Sequence, residues 1–252
     1  MNSTLKKVGF WASVFVLVSP AMLVFLWMIS LSLKNYVDVF AQNNFGLYLW
    51  NSILVTGGAV LLGLIVGVPA GYGIARGKAH KFAVLILVAR MTPALSYLIP
   101  LFLLFQITGL VGSITALVIT HLVITIPIIV WIMIGYFENV PMELEDASRI
   151  DGATTWQAFR HVALPLAKPG IVVGGILAFI FSWNNFIFSV VLGGKASRTL
   201  PSAVYNSLTF EQISWGPLAA AALLVTLPVL LVTVIAQRQI VAGLSAGGLK
   251  DG

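Results

Sequence analysis

The sequence predicts an all-α membrane protein of six transmembrane helices with a short helix pair on its cytoplasmic side. Three observations predict it. Of 252 residues, 59% are hydrophobic and only 9% charged, and the mean hydropathy is +1.01; a soluble domain keeps a mixed, charge-rich exterior that such a composition cannot supply. The apolar residues fall in six long continuous runs, where a spanning barrel would alternate every second residue. One charged island, "MELEDASRIDGATTWQAFRHVALP" from 142 to 165, interrupts the oil. The absence of cysteine excludes disulfides, thiolate catalysis and Cys-ligated metals.

The whole chain, 1–252, reads as a single membrane domain. Runs near the length of a bilayer crossing place the spans at about 8–33, 52–75, 82–107, 113–137, 170–192 and 217–236. The remaining segments are a loop at 138–168 that carries the charged island, an external loop at 193–216 and a tail at 237–252. Lys6 and Lys7 precede an apolar run too long for a signal-peptide core, with no A-x-A site after it, so the first span is expected to remain as an anchor. In this six-span arrangement Lys6, Lys7, Arg76, Lys78, Lys81, Arg149, Arg160, Lys168, Arg238 and Lys250 lie on one side, against Lys34, Lys195 and Arg198 on the other. Basic residues mark the cytoplasmic face, so both termini and the charged island are expected there. Arg90 lies inside the third span; we expect it to snorkel toward the cytoplasm or to meet a carbonyl freed by Pro93.

Within the island, Pro141 suits the first turn of a helix, and Glu143, Glu145 and Asp146 complement its positive N-terminus. Gly152 can take the positive-φ conformation that stops it. Thr154 or Thr155 then caps a second short helix, expected to end at Pro165, with Trp156, Phe159 and Ala163 on one face. Two readings of the pair stand on these grounds: it lies on lipid headgroups, or it plugs into a partner protein.

The island resembles the EAA loop of bacterial ATP-binding-cassette importer permeases, with the pattern E-A-A, three residues, Gly, nine residues, I-x-L-P. Here Asp146, Ala147 and Ser148 match the first triplet, Gly152 the glycine, and Val162, Leu164 and Pro165 the end, with both spacings kept. "FSWNNFIFSVVL", "RTLPSAV" and the tail "QRQIVAGLSAGGLKDG" are similar to the carbohydrate-importing branch, above all to the smaller permease subunit of maltose-type importers. One departure is Asn185, where relatives commonly carry Glu.

The resemblance implies a type I importer permease in the bacterial inner membrane, multi-pass, with no catalytic residue and no metal of its own. Its implied partners are a second homologous permease, two ATP-binding subunits that hold ATP and Mg, an extracytoplasmic solute-binding protein, a carbohydrate and membrane lipid, but no nucleic acid. The docking residues it implies are Glu145, Asp146, Ala147, Ser148, Gly152, Trp156, Phe159, Leu164 and Pro165. The residues themselves agree that the chain is no ATPase: "GGKASR" lacks the spacing of a phosphate-binding loop. The alternatives are a permease for a non-carbohydrate solute and a self-contained ion-coupled transporter. No carboxylate sits at mid-membrane for an ion relay, and His80, His121 and His161 form no metal-ligand motif.

Polar groups inside apolar spans should face protein or a wet path, because unpaired amides in hydrocarbon are costly. Trp183, Asn184 and Asn185 are therefore candidates to line the translocation path, followed by Tyr97, Gln106 and His121. Gly63, Gly67 and Gly71, and Gly170, Gly174, Ala178 and Ser182, form small-residue stripes; they serve close packing or, with Pro69 as a hinge, sliding during gating. In the external loop Arg198, Tyr205, Asn206 and Glu211 are candidate contacts for the binding protein, on the resemblance to the maltose-type subunit.

Overall fold

Two long helices that run side by side, α2 (Phe45–Arg76) and α5 (Ile114–Asn139), form the centre of the molecule. A Cβ added at Gly63, Gly67 or Gly71 would meet Thr125 Oγ1 at 2.8 Å, Ile129 Cγ2 at 2.8 Å or Met133 Cβ at 2.7 Å. Each step of four residues on one helix is a step of four on the other, so the two run parallel and in a fixed register. The missing side chains let the axes close, as small-residue stripes do in membrane helices. Thr125 Oγ1 adds a bond across this seam, donating to Ala59 O at 3.0 Å.

The computed structural model describes residues 3–32, 44–206 and 215–248. Lys34, Asp38, Glu211, Lys250 and Asp251 lie outside them, as does the segment 207–214 of the expected external loop. The described residues are helical nearly throughout. Around the central pair, α8 (Lys168–Trp183) packs on α2 and α5, and α11 (Trp215–Gly248) packs on α8 and on α1 (Ser3–Ser32). Gly170 of α8 lies hard against the Tyr136 ring and Gly174 faces Ile129, so the second small-residue stripe also closes on α5. Among the described residues four helices are long and apolar enough to cross a membrane, and up to six crossings result if each of two bent pairs counts as one.

The third run is not one continuous helix, contrary to the expectation. It divides into α3 (His80–Met91) and α4 (Ala94–Ile107), bent by 87°. Pro93 is the cause: it donates no N–H and forces the preceding Thr92 into extended geometry, at φ −63° and ψ 127°. The fifth run also breaks, at residues 184–186, between α8 and α9 (Ile187–Leu192). In the loop that follows, α10 (Leu200–Asn206) folds back on the bundle. Asn51 Nδ2 donates to Ala196 O and Arg198 O at 2.8 and 2.9 Å, and Ser52 Oγ accepts from Leu200 N–H at 2.8 Å.

Candidate functional site

The charged island folds into α6 (Met142–Ile150) and α7 (Thr155–Leu166). Paired backbone bonds close α6: Asp151 N–H to Ala147 O at 3.1 Å, and Ala153 N–H to Ser148 O at 3.0 Å. The chain turns there at Gly152, whose φ of +92° an L side chain resists. Thr154 caps α7 reciprocally with Gln157: its Oγ1 accepts from Gln157 N–H at 3.3 Å while Gln157 Oε1 accepts from Thr154 N–H at 2.7 Å.

The helix ends at Leu166, one residue past the Pro165 expected to end it. A wide π turn over Phe159–Ala163, with Leu164 N–H donating to Phe159 O, shifts the pairing by one residue just ahead of the proline. The chain then bends by 73° into α8. The π turn is the adjustment that lets a residue without a donor sit in the helix.

The pair is fastened to α2. Glu145 is wholly buried, and its Oε1 accepts from Arg76 Nε at 2.8 Å and Nη2 at 2.5 Å. Its Oε2 accepts from the Tyr72 hydroxyl at 2.5 Å, and Arg76 Nη2 also reaches Val140 O at 3.1 Å. Tyr72 and Arg76 stand one turn apart on α2, which puts both on the face that α6 meets. Beside this polar clamp, the Phe159 ring lies 4.7 Å from Tyr72 and 6.1 Å from Phe137.

The opposite face of the pair is apolar and open. Ile150 is 87% exposed and Trp156 61%, with Leu144 and Met142 exposed beside the acidic Asp146.

A second polar feature lies at the bend between α3 and α4. A cavity of about 250 Å³ is lined by Arg90, Thr92, Tyr97, Val123, Ile124, Ile128, Phe181 and Asn185. The Arg90 guanidinium sits 5.4 Å from the Phe181 ring centroid. Asn185 Oδ1 accepts from Phe188 N–H at 3.2 Å and so caps α9.

Residues 59–245 match the model of the family described as binding-protein-dependent transport system inner membrane component. The chain belongs to that family. It is a membrane permease subunit of an ATP-binding-cassette importer, a transport component that works with a solute-binding protein. The permease is 34% identical to the trehalose transport system permease protein SugB of Mycobacterium tuberculosis, over 97% of this chain and 98% of that one. It is 37% identical to the maltose/maltodextrin permease MalG of Salmonella typhimurium, over 81% and 72%, and 33% identical to the sulfoquinovosyl glycerol permease SmoH of Agrobacterium fabrum, over 87% and 78%. Among solved structures, a bacterial importer of alginate shares its fold, with a TM-score of 0.76 at 20% identity over 94% of this chain and 98% of that one.

The docking set read from the sequence divides in two. Asp146, Ala147, Gly152, Trp156 and Pro165 are exposed, whereas Ser148 and Leu164 are half-buried. Glu145 and Phe159 point inward, Glu145 to Arg76 and Tyr72 and Phe159 into the aromatic cluster, and do not contribute to the open face. The 3.6-residue period puts Trp156 and Phe159 on one face, but only Phe159 enters the bundle, because the tie at Glu145 sets the height of the pair.

Of the path candidates, Tyr97 and Asn185 line the cavity and the other four do not. Trp183 is buried, stacks on Phe179 and donates Nε1–H to Val225 O at 2.9 Å; it joins α8 to α11. His121 is buried too, its Nδ1 2.7 Å from Ser182 Oγ, and braces α5 to α8. Asn184 is exposed and bonds to Ile180 O of its own helix at 2.9 Å, and Gln106 is exposed away from the cavity. In the segment after α9 Tyr205 is exposed, Arg198 stands 5.9 Å over the Tyr48 ring, Asn206 closes α10, and Glu211 falls outside the described residues. Arg76 and Tyr72, which tie the helix pair to α2, stand in the sequence only as a flanking charge and as ordinary span. The i, i+4 spacing of Tyr72 and Arg76 at the end of a span is the signal that could have found them.

Proposed function

We propose that this permease imports a sugar, oligosaccharide or polyol, and that it forms half of a translocation path shared with a second, homologous permease. The observation that carries this reading is the run of relatives, each at least 33% identical over most of both chains, that are named for trehalose, sulfoquinovosyl glycerol and maltodextrin transport. Two separate ATP-binding subunits supply ATP hydrolysis, and the binding protein delivers solute to the external side, where Arg198 and Tyr205 are candidate contacts. Both termini and α6–α7 face the cytoplasm.

In this reading the open face around Leu144, Asp146, Ile150 and Trp156 docks into an ATP-binding subunit. Closure of the two ATP-binding subunits displaces the helix pair. The Glu145–Arg76 and Phe159–Tyr72 contacts hand that displacement to α2, and the close α2–α5–α8 packing moves the three as one body. Trp156 and Ile150 fit this role because interfaces draw most of their binding energy from large apolar anchors.

The test is reconstitution in proteoliposomes with the sister permease, ATP-binding subunits and binding protein, followed by uptake of labelled trehalose, maltose and related saccharides. Saccharide uptake that needs ATP and the binding protein is the expected result. Uptake by this chain alone, driven by an ion gradient and indifferent to ATP, would overturn the reading. Since the chain has no cysteine, single cysteines placed at Lys195 and Lys250 read the orientation directly by labelling from either side.

A further inference from the structure

We infer that the cavity at the α3–α4 bend is a binding site for a saccharide carrying an anionic substituent, a carboxylate, sulfonate or phosphate, with Arg90 as the residue that selects it. The inference rests on the importer reading and narrows its substrate class.

Arg90 is a full positive charge in the last turn of the apolar helix α3 and is exposed on the surface of this chain; such charges face a wet path or a partner because hydrocarbon is too costly a surrounding. Among the described residues it forms no ion pair. Arg76 pairs with Glu145 and Arg149 with Asp146, while the Arg90 guanidinium lies against the Phe181 ring. A carboxylate is missing from the whole lining of the cavity.

The other polar groups there leave donors to spare. Asn185 spends Oδ1 on capping α9, so its NH2 group remains to donate. Thr92 Oγ1 already donates to Val88 O at 3.3 Å and can accept, while the Tyr97 hydroxyl can do either. With the five N–H groups of a guanidinium, the cavity is rich in donors and poor in acceptors. A neutral sugar ring brings about as many hydroxyl donors as acceptors; an anionic group brings acceptors only, and guanidinium bonds to such groups are the strong, charge-assisted kind. Tyr97 supplies a ring for the apolar side of a pyranose, while the Phe181 ring lies against Arg90. At about 250 Å³ the space lies under the roughly 300–1,000 Å³ of whole-ligand clefts, so it takes one ring or one charged end of a longer saccharide.

The competing occupant is a carboxylate of the sister permease reaching in to neutralise Arg90, and the experiment separates the two. The assembled importer, without its binding protein, is placed in lipid nanodiscs and titrated calorimetrically with D-glucose, D-glucuronate, glucose 6-sulfate and glucose 6-phosphate. At least one anionic member should bind ten-fold or more tightly than glucose. Arg90→Gln should reduce that preference to under two-fold, and Arg90→Lys should keep part of it. Asn185→Asp, which retains the cap on α9 while placing a counter-charge beside Arg90, should also abolish it. Equal affinities in the unaltered complex, or a preference that survives Arg90→Gln, would overturn the inference, as would loss of the sister permease from the purified complex on Arg90→Gln. ATP hydrolysis stimulated by loaded binding protein, measured in the same samples, reports on the importer reading separately.

Discussion

Glu145 of α6 and Arg76 of α2 meet through two guanidinium N–H groups on one carboxylate oxygen, at 2.8 and 2.5 Å, while Tyr72 holds the other oxygen. The carboxylate is out of reach of water, so removing the cation strands a charge inside the protein. Breaking one side of a buried pair typically costs about 3–5 kcal/mol. Arg76→Met should therefore lower the thermal stability of the purified complex and weaken transport stimulation of ATP hydrolysis. Arg76→Met combined with Glu145→Leu should recover much of the stability, because neither charge is then left alone; a double-mutant cycle on melting temperature measures it. Stability that falls additively in the double variant would mean that the two side chains do not act as a pair.

Trp156 and Phe159 have rings 5.2 Å apart yet belong to different surfaces, one open and one internal. Trp156→Ala should leave the fold intact and reduce retention of the ATP-binding subunits by about 2 kcal/mol, roughly thirty-fold in affinity, if it anchors the interface. Phe159→Ala should instead cost about 3–5 kcal/mol of stability through the void it leaves against Tyr72 and Phe137. Co-purification and thermal unfolding, compared for the two variants, distinguish these outcomes. Identical behaviour would contradict the split.

At Gly71 an added Cβ would lie 2.7 Å from Met133 Cβ and 3.2 Å from Val130 O, in the seam between α2 and α5. Gly71→Val forces the two axes apart, an overpacking cost of about 1–3 kcal/mol. Gly73, two residues on, has open space at the same point, so Gly73→Ala should be close to neutral. Yield and melting temperature of the assembled complex are the readouts, and equal loss at both positions would argue against close packing as the reason for the stripe.

Gly152 presents the reverse case: nothing stands within 4 Å of an added Cβ, but its φ is +92°. The cost of a side chain is then purely conformational, about 1–2 kcal/mol for Ala and more for β-branched Val. Gly152→Ala should impair solute-stimulated ATP hydrolysis by re-aiming α7 relative to α6, and Gly152→Val should impair it further. Full activity in Gly152→Val would show that the turn does not aim the helix pair.

The sequence by itself determined the class of the molecule and the identity of its elements. Apolar runs the length of a bilayer are a property of composition and need no tertiary partner, and the same holds for the local signals at Gly152 and Thr154, where the stop and the cap use atoms within a few residues. The EAA spacing belongs to this class as well. Tertiary structure decided which polar groups turn inward. Glu145, Asp146 and Glu143 are equivalent as helix-start carboxylates, and only the approach of Arg76 and Tyr72, some 70 residues earlier in the chain, singles out the first. Trp183, Asn184 and Asn185 are likewise indistinguishable as polar interruptions. The approach of α11 buries the first, and the break before α9 turns the third toward Arg90. Periodicity assigns a residue to a face of its own helix, but what that face meets is set by contacts between distant segments, which carry no local signal.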